Sequence, residues 1–293
     1  MRTNLILDGN NILCRAYFTA TSKGGNANDV TQMFFTMVKS YAITNSATDV
    51  YLTWDKRLNP EPDNFRKKLI DYKGNRNVAK ETQDDILENI DTISEIASTF
   101  GFRTILPYNL EADDVIYFLS KTLEGNNIIV SGDKDIYQLV DSNVSIYLTK
   151  NKRLLTQENF SEIVGVDLEN FVDYKCILGD SGDNIVGLYK YGAVKSKKLA
   201  ESKDWDSLVE DQMKVIERNR MLIDLSKASE LSPGEWDSYN EQLNSELENS
   251  KFSTLKALDI INTIGLTKLK RDVHVWAGII RDKNTLEEWF SNV

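Results

Sequence analysis

The sequence predicts an α/β fold, a mainly parallel central sheet flanked by helices on both faces, followed by a helical C-terminal region. Three observations predict it. Short apolar runs of strand length alternate with amphipathic stretches of helical period through residues 1–155. Connections between those runs are long enough to hold a crossover helix, as parallel strands require. Acidic side chains recur where the runs end: Asp8, Asp55 and the pair Asp133/Asp135. Ligands of such sheets sit outside the carboxyl ends of the strands, so the third observation concerns chemistry as well as fold.

Residues 4–8 form the first strand, with Gly9-Asn10-Asn11 as the turn out of it and a helix following through Phe18. After Gly24-Gly25, Asp29 is the expected N-cap of a helix to about Ser46, with Val30, Phe34, Met37, Val38 and Tyr41 on one face. Residues 50–54 are the second strand, closed by Asp55. Residues 56–80 form an excursion broken by Pro60 and Pro62, basic and interleaved with aromatics. A core-facing helix resumes near Glu81, with Ile86, Ile90, Ile93, Ile96 and Phe100 at helical spacing. Residues 102–106 are the third strand. Leu110-Glu111-Ala112-Asp113-Asp114 then opens an apolar helix (Val115, Ile116, Phe118, Leu119). Residues 127–130 are the fourth strand, ended by Ser131-Gly132-Asp133-Lys134-Asp135 and a short helix. Residues 144–148 are a fifth strand near an edge.

From 156 to 293 the pattern turns helical. A helix over 168–178 delivers Gly179-Asp180-Ser181-Gly182-Asp183, and residues 184–195 read as two helices meeting at a glycine-bounded turn. Residues 219–225, 255–264 and 286–290 read as packing helices. Residues 228–250, with Pro233, Gly234 and many acids, read as a surface loop or connector.

Composition excludes several functional classes. No run of about 18 apolar residues can span a membrane, and the first residues enter a strand without a basic leader, so a cytoplasmic protein without a secretory signal is expected. Cys14 and Cys176 lack metal-ligand spacing. The single histidine, His274, lies in an apolar string and is expected to be packed; paired-histidine chemistry and HExxH zinc sites are excluded. Any catalysis must therefore rest on carboxylates, lysines and arginines. The net charge of −10 conceals two basic patches. Residues 56–80 hold eight Lys/Arg against three Asp/Glu, and residues 190–198 hold Lys190, Lys195, Lys197 and Lys198 with no acid. Such patches can grip phosphates even on an acidic protein.

Acids in a helix's first turn also complement its dipole, and an aspartate at a strand end also serves a turn. Agreement among four strand ends outweighs those local explanations. Nine carboxylates (Asp8, Asp55, Glu111, Asp113, Asp114, Asp133, Asp135, Asp180, Asp183) at element ends or in glycine-bearing loops suggest one shared metal site. Clustered carboxylates repel unless cations neutralise them. Oxygen ligands without His or Cys favour Mg²⁺ or Mn²⁺. A pair of such ions can activate water and stabilise the leaving oxygen of a phosphodiester, with Lys73 and Arg76 supplying further positive charge.

Five segments in order, Leu7-Asp8-Gly9-Asn10, Tyr72-Lys73-Gly74-Asn75-Arg76, Glu111-Ala112-Asp113-Asp114, Ser131-Gly132-Asp133-Lys134-Asp135 and Gly179-Asp180-Ser181-Gly182-Asp183-Asn184, make the chain resemble the 5′-nuclease (flap endonuclease) family over about residues 1–225. Among its members the free-standing bacteriophage 5′→3′ exonucleases are most similar. The resemblance implies a PIN-like nuclease fold, with a helical arch over about residues 56–95 and a helix–three-turn–helix over about 184–200 in a DNA-binding region, 156–293. It implies that Asp8, Glu111, Asp113, Asp133 and Asp135 are the main metal acids, and that Asp55, Asp114, Asp180 and Asp183 are outer or second-ion acids. Asp8 and Asp135 then act in catalysis with Lys73 and Arg76, the basic pair at the base of the arch, and Tyr72 can stack on a base.

DNA contacts would come from Arg66, Lys67, Lys68, Tyr72, Lys73 and Arg76 on the arch, and from Gly187, Lys190, Gly192, Lys195, Lys197 and Lys198 on the duplex-gripping motif. Lys190 stands where relatives have a second glycine. Either K⁺ binds the turn's carbonyls as in relatives, or the Lys190 ammonium replaces it. The implied activity is removal of 5′ flaps and RNA primers from branched or nicked duplex DNA by a monomer using two Mg²⁺ ions, with replication proteins as possible partners. A PIN-class ribonuclease and a catalytically silent DNA-junction binding protein are the alternatives.

Overall fold

A computed structural model describes residues 2–59, 64–74 and 80–280. Strand β1 (Thr3–Asp8), buried along its whole length, lies centrally in a six-stranded sheet. β2 (Asp49–Thr53) pairs on one side of it, with β3 (Arg103–Thr104) outside β2. β4 (Asn126–Val130) pairs on the other side, with β5 (Val144–Leu148) beyond. These five are parallel; β6 (Arg153–Leu155), not anticipated from the sequence, closes that edge antiparallel to β5. The two-residue side-chain period divides the core. Leu5, Leu7, Val50, Leu52, Ile128 and Val130 face one layer, whereas Ile6, Tyr51 and Ile129 face the other.

The first layer contains α1 (Gly9–Thr21) and α2 (Ala27–Thr44). Gly9-Asn10-Asn11 is the first turn of α1, not a separate turn, because Asp8 caps the helix directly. A Cβ on Gly9 would lie 2.5 Å from the Trp54 ring and 2.6 Å from the Thr53 carbonyl, so only glycine lets α1 start this close to β2. The N-cap of α2 is Asn26; Asp29 is its capping-box partner. α3 (Arg66–Leu69) is a single turn within the basic excursion. α4 (Lys80–Thr99) buries the anticipated Ile86, Ile90, Ile93 and Ile96, and Phe100, also buried, follows directly after its end.

α5 (Ala112–Thr122) covers the second face. α6 (Phe160–Val164) leads to α7 (Phe171–Leu178), then to a ribbon of β7 (Gly179–Asp180) and β8 (Ile185–Val186). α8 (Ala193–Ser202) and α9 (Glu210–Ile223) build a third core with α7. The expected first helix of 184–195 is therefore the returning strand of that ribbon plus a turn. Gly187 packs against the end of α7, where a Cβ would lie 2.2 Å from the Leu178 carbonyl oxygen.

Residues 228–250 are not a loop. α10 (Leu225–Leu231) and α11 (Pro233–Asn249) are helices, and Pro233 lies in the first turn of α11, where its missing N–H is harmless. Trp236, Tyr239 and Leu243 form an apolar stripe on the second face. The row beside that stripe, Glu235, Gln242 and Glu246, clamps the edge of the sheet. Gln242 accepts from Leu106 N (2.8 Å) and donates to Leu106 O (2.9 Å), and buried Glu235 accepts from Tyr108 N (3.0 Å) and Asn109 N (2.7 Å). α12 (Thr254–Ile264) and α13 (Thr267–Ile279) return to the first layer, where Ile261, Leu269 and Trp276 are buried. His274 is exposed on α13, because Val273 and Trp276 take the inward positions. The helix expected at 286–290 and Arg76 lie outside the described residues. Among the described residues no helix is long and apolar enough to cross a membrane.

Candidate functional site

The strand order reverses between β1 and β4, and the carboxylates gather around that crevice. Asp8 Oδ1 accepts from Asn11 N at 3.0 Å and its Oδ2 from Ser131 Oγ at 2.7 Å. Two asparagines staple the neighbouring strand ends to β1. Asn10 Oδ1 accepts from Asp55 N (2.8 Å), and Asn11 Oδ1 accepts from Gly132 N (3.0 Å). Asp55 Oδ1 in turn accepts from Ala112 N at 2.9 Å, fastening the start of α5 to β2. Asp133 Oδ1 accepts from Asp135 N at 2.8 Å. Sequence reasoning missed Asn10, Asn11 and Ser131 as positioning residues, although the Gly9-Asn10-Asn11 run after a strand was itself a signal.

Asp8, Asp55, Asp113 and Asp133 act on one another as one electrostatic group. Burial first, then Asp133, Asp8 and Asp55, push Asp113 well above the usual carboxylate range. Burial raises Asp8 to about 6, with Asp55 and Asp133 adding and the bonds from Asn11 and Ser131 opposing. Burial likewise raises Asp135 to about 6, despite Lys175 nearby. Among the described residues no three of these groups close into a ready coordination sphere; like charges raise one another's pKa until a cation offsets them. The donor set nonetheless fits a hard divalent cation. It is all carboxylate oxygen, and burial with mutual repulsion raises Asp8 and Asp113, Lys73 only partly offsetting it at Asp113.

Lysines neutralise the rim. Lys73 Nζ lies 2.8 Å from Glu111 Oε1; burial would raise the Glu111 pKa, but Lys73 and Arg66 hold it below its ordinary value. Lys73 has φ +58°, its N–H donates to Asp183 O at 3.1 Å, and Asn184 Nδ2 donates to Asp71 O at 2.8 Å, so the excursion is docked on the 180–184 turn. Lys175, in apolar α7 and overlooked in the sequence, places Nζ 2.6 Å from Asp180 Oδ2 and 2.8 Å from Asp135 Oδ1. It holds Asp180 low against the opposing effect of burial. A lysine one turn before the Gly-Asp-Ser-Gly-Asp turn was the available signal.

Four expectations need correction. Tyr72 does not present its ring for stacking: it belongs to the third core, and its hydroxyl lies 3.0 Å from Glu111 Oε2 and 3.1 Å from Asp183 Oδ2. One hydroxyl proton can serve only one of them at a time. Asp114 and Arg66 are buried and bound to each other by two hydrogen bonds of 2.7 and 2.8 Å, so neither faces an ion or DNA. The fit of Gly187 against α7 accounts for that glycine without a phosphate.

Lys67 and Lys68 are exposed on α3. Lys190 is exposed with φ +64°, the backbone state glycine enters without penalty, and its Nζ lies 5.2 Å from the Tyr189 ring centroid. Gly192 caps α8, on which Lys195 and Lys198 are exposed, while Lys197 lies 3.6 Å from Glu201.

Fold and site together define a class: α/β proteins with a carboxylate cluster at the switch point of a parallel sheet. Residues 3–165 match the family model described as 5′-3′ exonuclease, N-terminal resolvase-like domain, and the chain belongs to that family. DNA polymerase I of Lactococcus lactis is 32% identical over 215 residues, 67% of this chain and 24% of that protein. A 5′-3′ exonuclease of Buchnera aphidicola is 30% identical over 196 residues, 64% of this chain and 66% of that one. The chain thus spans about a quarter of the polymerases it matches. The T5 D15 protein, co-crystallised with metal ions, has the same fold, with a TM-score of 0.70 at 22% identity over 85% of this chain and 100% of that one.

Proposed function

We propose that this chain is a structure-specific 5′ nuclease. It hydrolyses phosphodiesters of 5′ flaps and RNA primers on branched or nicked duplex DNA during replication, as a monomer in the bacterial cytoplasm. The observation that carries this reading is the convergence of acids from separate segments on the switch point, with Lys73 and Lys175 at its rim. Asp8, Asp55, Asp113 and Asp133 would hold two Mg²⁺ ions, replaceable by Mn²⁺, with Glu111, Asp135, Asp180 and Asp183 around them. When bound, such ions supply an activated water and offset charge on the leaving oxygen.

The chain's own groups do the rest. Lys73 meets the scissile phosphate, and Tyr72 orients Glu111 and Asp183 through its hydroxyl. Arg76, Lys67 and Lys68 attract the single strand along the arch. Of residues 156–293, α8 serves DNA binding, with Lys195, Lys197 and Lys198 gripping the duplex backbone, while α11, α12 and α13 join the core layers that cover the sheet. The left-handed backbone at Lys190 favours a turn that keeps a K⁺ site over an ammonium that replaces it.

A labelled 5′-flap duplex tests the reading. Cleavage in Mg²⁺, none in EDTA, and flap binding without cleavage by Asp113→Asn are expected. Binding by the wild type without cutting in Mg²⁺ would favour a junction-binding protein instead, and cutting of single-stranded RNA without need of a 5′ end would favour a PIN-class ribonuclease.

A further inference from the structure

Beyond the acid cluster, the carboxyl edge of the sheet opens into a cavity of about 900 Å³ that no step above uses. Small-ligand sites fall in the range of ~300–1,000 Å³, so this one is far larger than a lone phosphate needs. Ser131, which binds Asp8, and Asp180 both line it, so it is continuous with the cluster. Tyr137 and Tyr174, both half-buried, line it as well, and exposed Lys134 and Lys150 complete the lining used here. Among the described residues neither lysine forms an ion pair. Two unneutralised ammonium groups beside aromatic rings are suited to an anion that carries a flat apolar portion.

The sheet order says what reaches it. Asp55 follows β2, Asp8 ends β1, Asp133 follows β4, and Lys150 follows β5, in that order across the sheet. The basic excursion leaves from the β2 end. A polynucleotide entering from the excursion and crossing the acids therefore continues into the cavity at the β5 end.

We propose that the cavity receives the nucleotide on the 3′ side of the scissile bond, its phosphate between Lys134 and Lys150 and its base against Tyr137 and Tyr174. This rests on the nuclease reading above, which puts the 5′ end at the excursion. The site gives a stacked base its own seat next to the cut, and so sets where along the strand the cut falls.

The test uses the full chain and 5′-flap DNA carrying 2-aminopurine one nucleotide to the 3′ or the 5′ side of the cut, bound in EDTA so that nothing is cleaved. Expected is quenching of the 3′ probe in the wild type, lost in Tyr137→Leu/Tyr174→Leu. In Lys134→Ala/Lys150→Ala, the slope of log K against log salt should fall by about 1, for the one phosphate the two lysines share. Lys134→Arg/Lys150→Arg should restore that slope, which separates charge from folding. An unquenched 3′ probe in the wild type, or an unchanged salt slope in the lysine variant, overturns the assignment. These binding readouts do not depend on cutting: a wild type that quenches the 3′ probe but never cuts in Mg²⁺ leaves the cavity standing and defeats the nuclease reading alone.

Discussion

Asp114→Asn tests how the acids divide between architecture and chemistry. Asp114 has no exposed surface, receives two guanidinium nitrogens of Arg66, and accepts from the Glu111 backbone N–H at 3.1 Å. Arg66 is 2% exposed and also approaches the Leu222 carbonyl at 3.3 Å through Nε. The pair joins the single turn α3, the start of α5 and the end of α9. Removing one charge leaves the other buried without a counter-charge, which costs about 3–5 kcal/mol. At ~2–4 °C per kcal/mol for large domains, the melting midpoint should fall by ~6–20 °C. Thermal unfolding followed by circular dichroism measures this. Arg66→Met combined with Asp114→Leu should recover most of the loss, since an apolar pair of similar volume is often neutral or better. Assayed below its transition, folded Asp114→Asn should still cut flap DNA in Mg²⁺. An unchanged midpoint together with lost cleavage would refute the reasoning and return Asp114 to the metal acids.

Two further predictions concern the acid cluster and its support. In EDTA, Asp8 and Asp135, both raised to about 6, bind a proton more readily folded than unfolded. Their contribution to stability is complete below the usual Asp value near ~3.9 and disappears as pH rises through about 6, a loss of about 3 kcal/mol for each carboxylate displaced by ~2 pH units. The midpoint in EDTA should therefore be higher at pH 5 than at pH 8, and Mg²⁺ should raise it more at pH 8; equal Mg²⁺ shifts at both pH values would contradict this. Glu235→Ala leaves the Tyr108 and Asn109 N–H groups without their acceptor, which should cost about 1–3 kcal/mol in urea unfolding. Because those residues lead into Glu111, kcat should drop more than flap affinity, and a loss confined to affinity would count against it.

The parallel sheet was legible because its runs are apolar and end in aspartates, and α4 was legible because five apolar residues keep helical spacing. α11 was not, because Glu235, Gln242 and Glu246 face the edge of the sheet as backbone partners. Their polarity reads as solvent exposure when hydropathy alone is considered. The β7–β8 ribbon was missed because two residues per strand carry no period. For the site, residue types and positions were legible, but allegiance was not. Nothing in one dimension tells that Asp114 is matched by Arg66 across 48 residues, or that Tyr72 turns its ring inward.

Under the proposed function, the partners of the acids would let an acidic protein work on a polyanion. Glu111 and Asp180 are held low by Lys73 and Lys175, so the rim arrives already neutralised by the chain itself. Asp8 and Asp113 are pushed up, each with burial as the leading cause, so the centre is left short of positive charge. Had the lysines been distributed over all the acids, a divalent ion would displace an existing partner at every position and gain little. Concentrating them at the rim makes the centre the place where an incoming cation relieves the most repulsion. It also leaves Lys73, the more exposed of the two, where a phosphate can compete for it, while buried Lys175 stays with its carboxylates. The net charge of −10 then says little about affinity for DNA, since what a strand crossing this edge meets first is the rim.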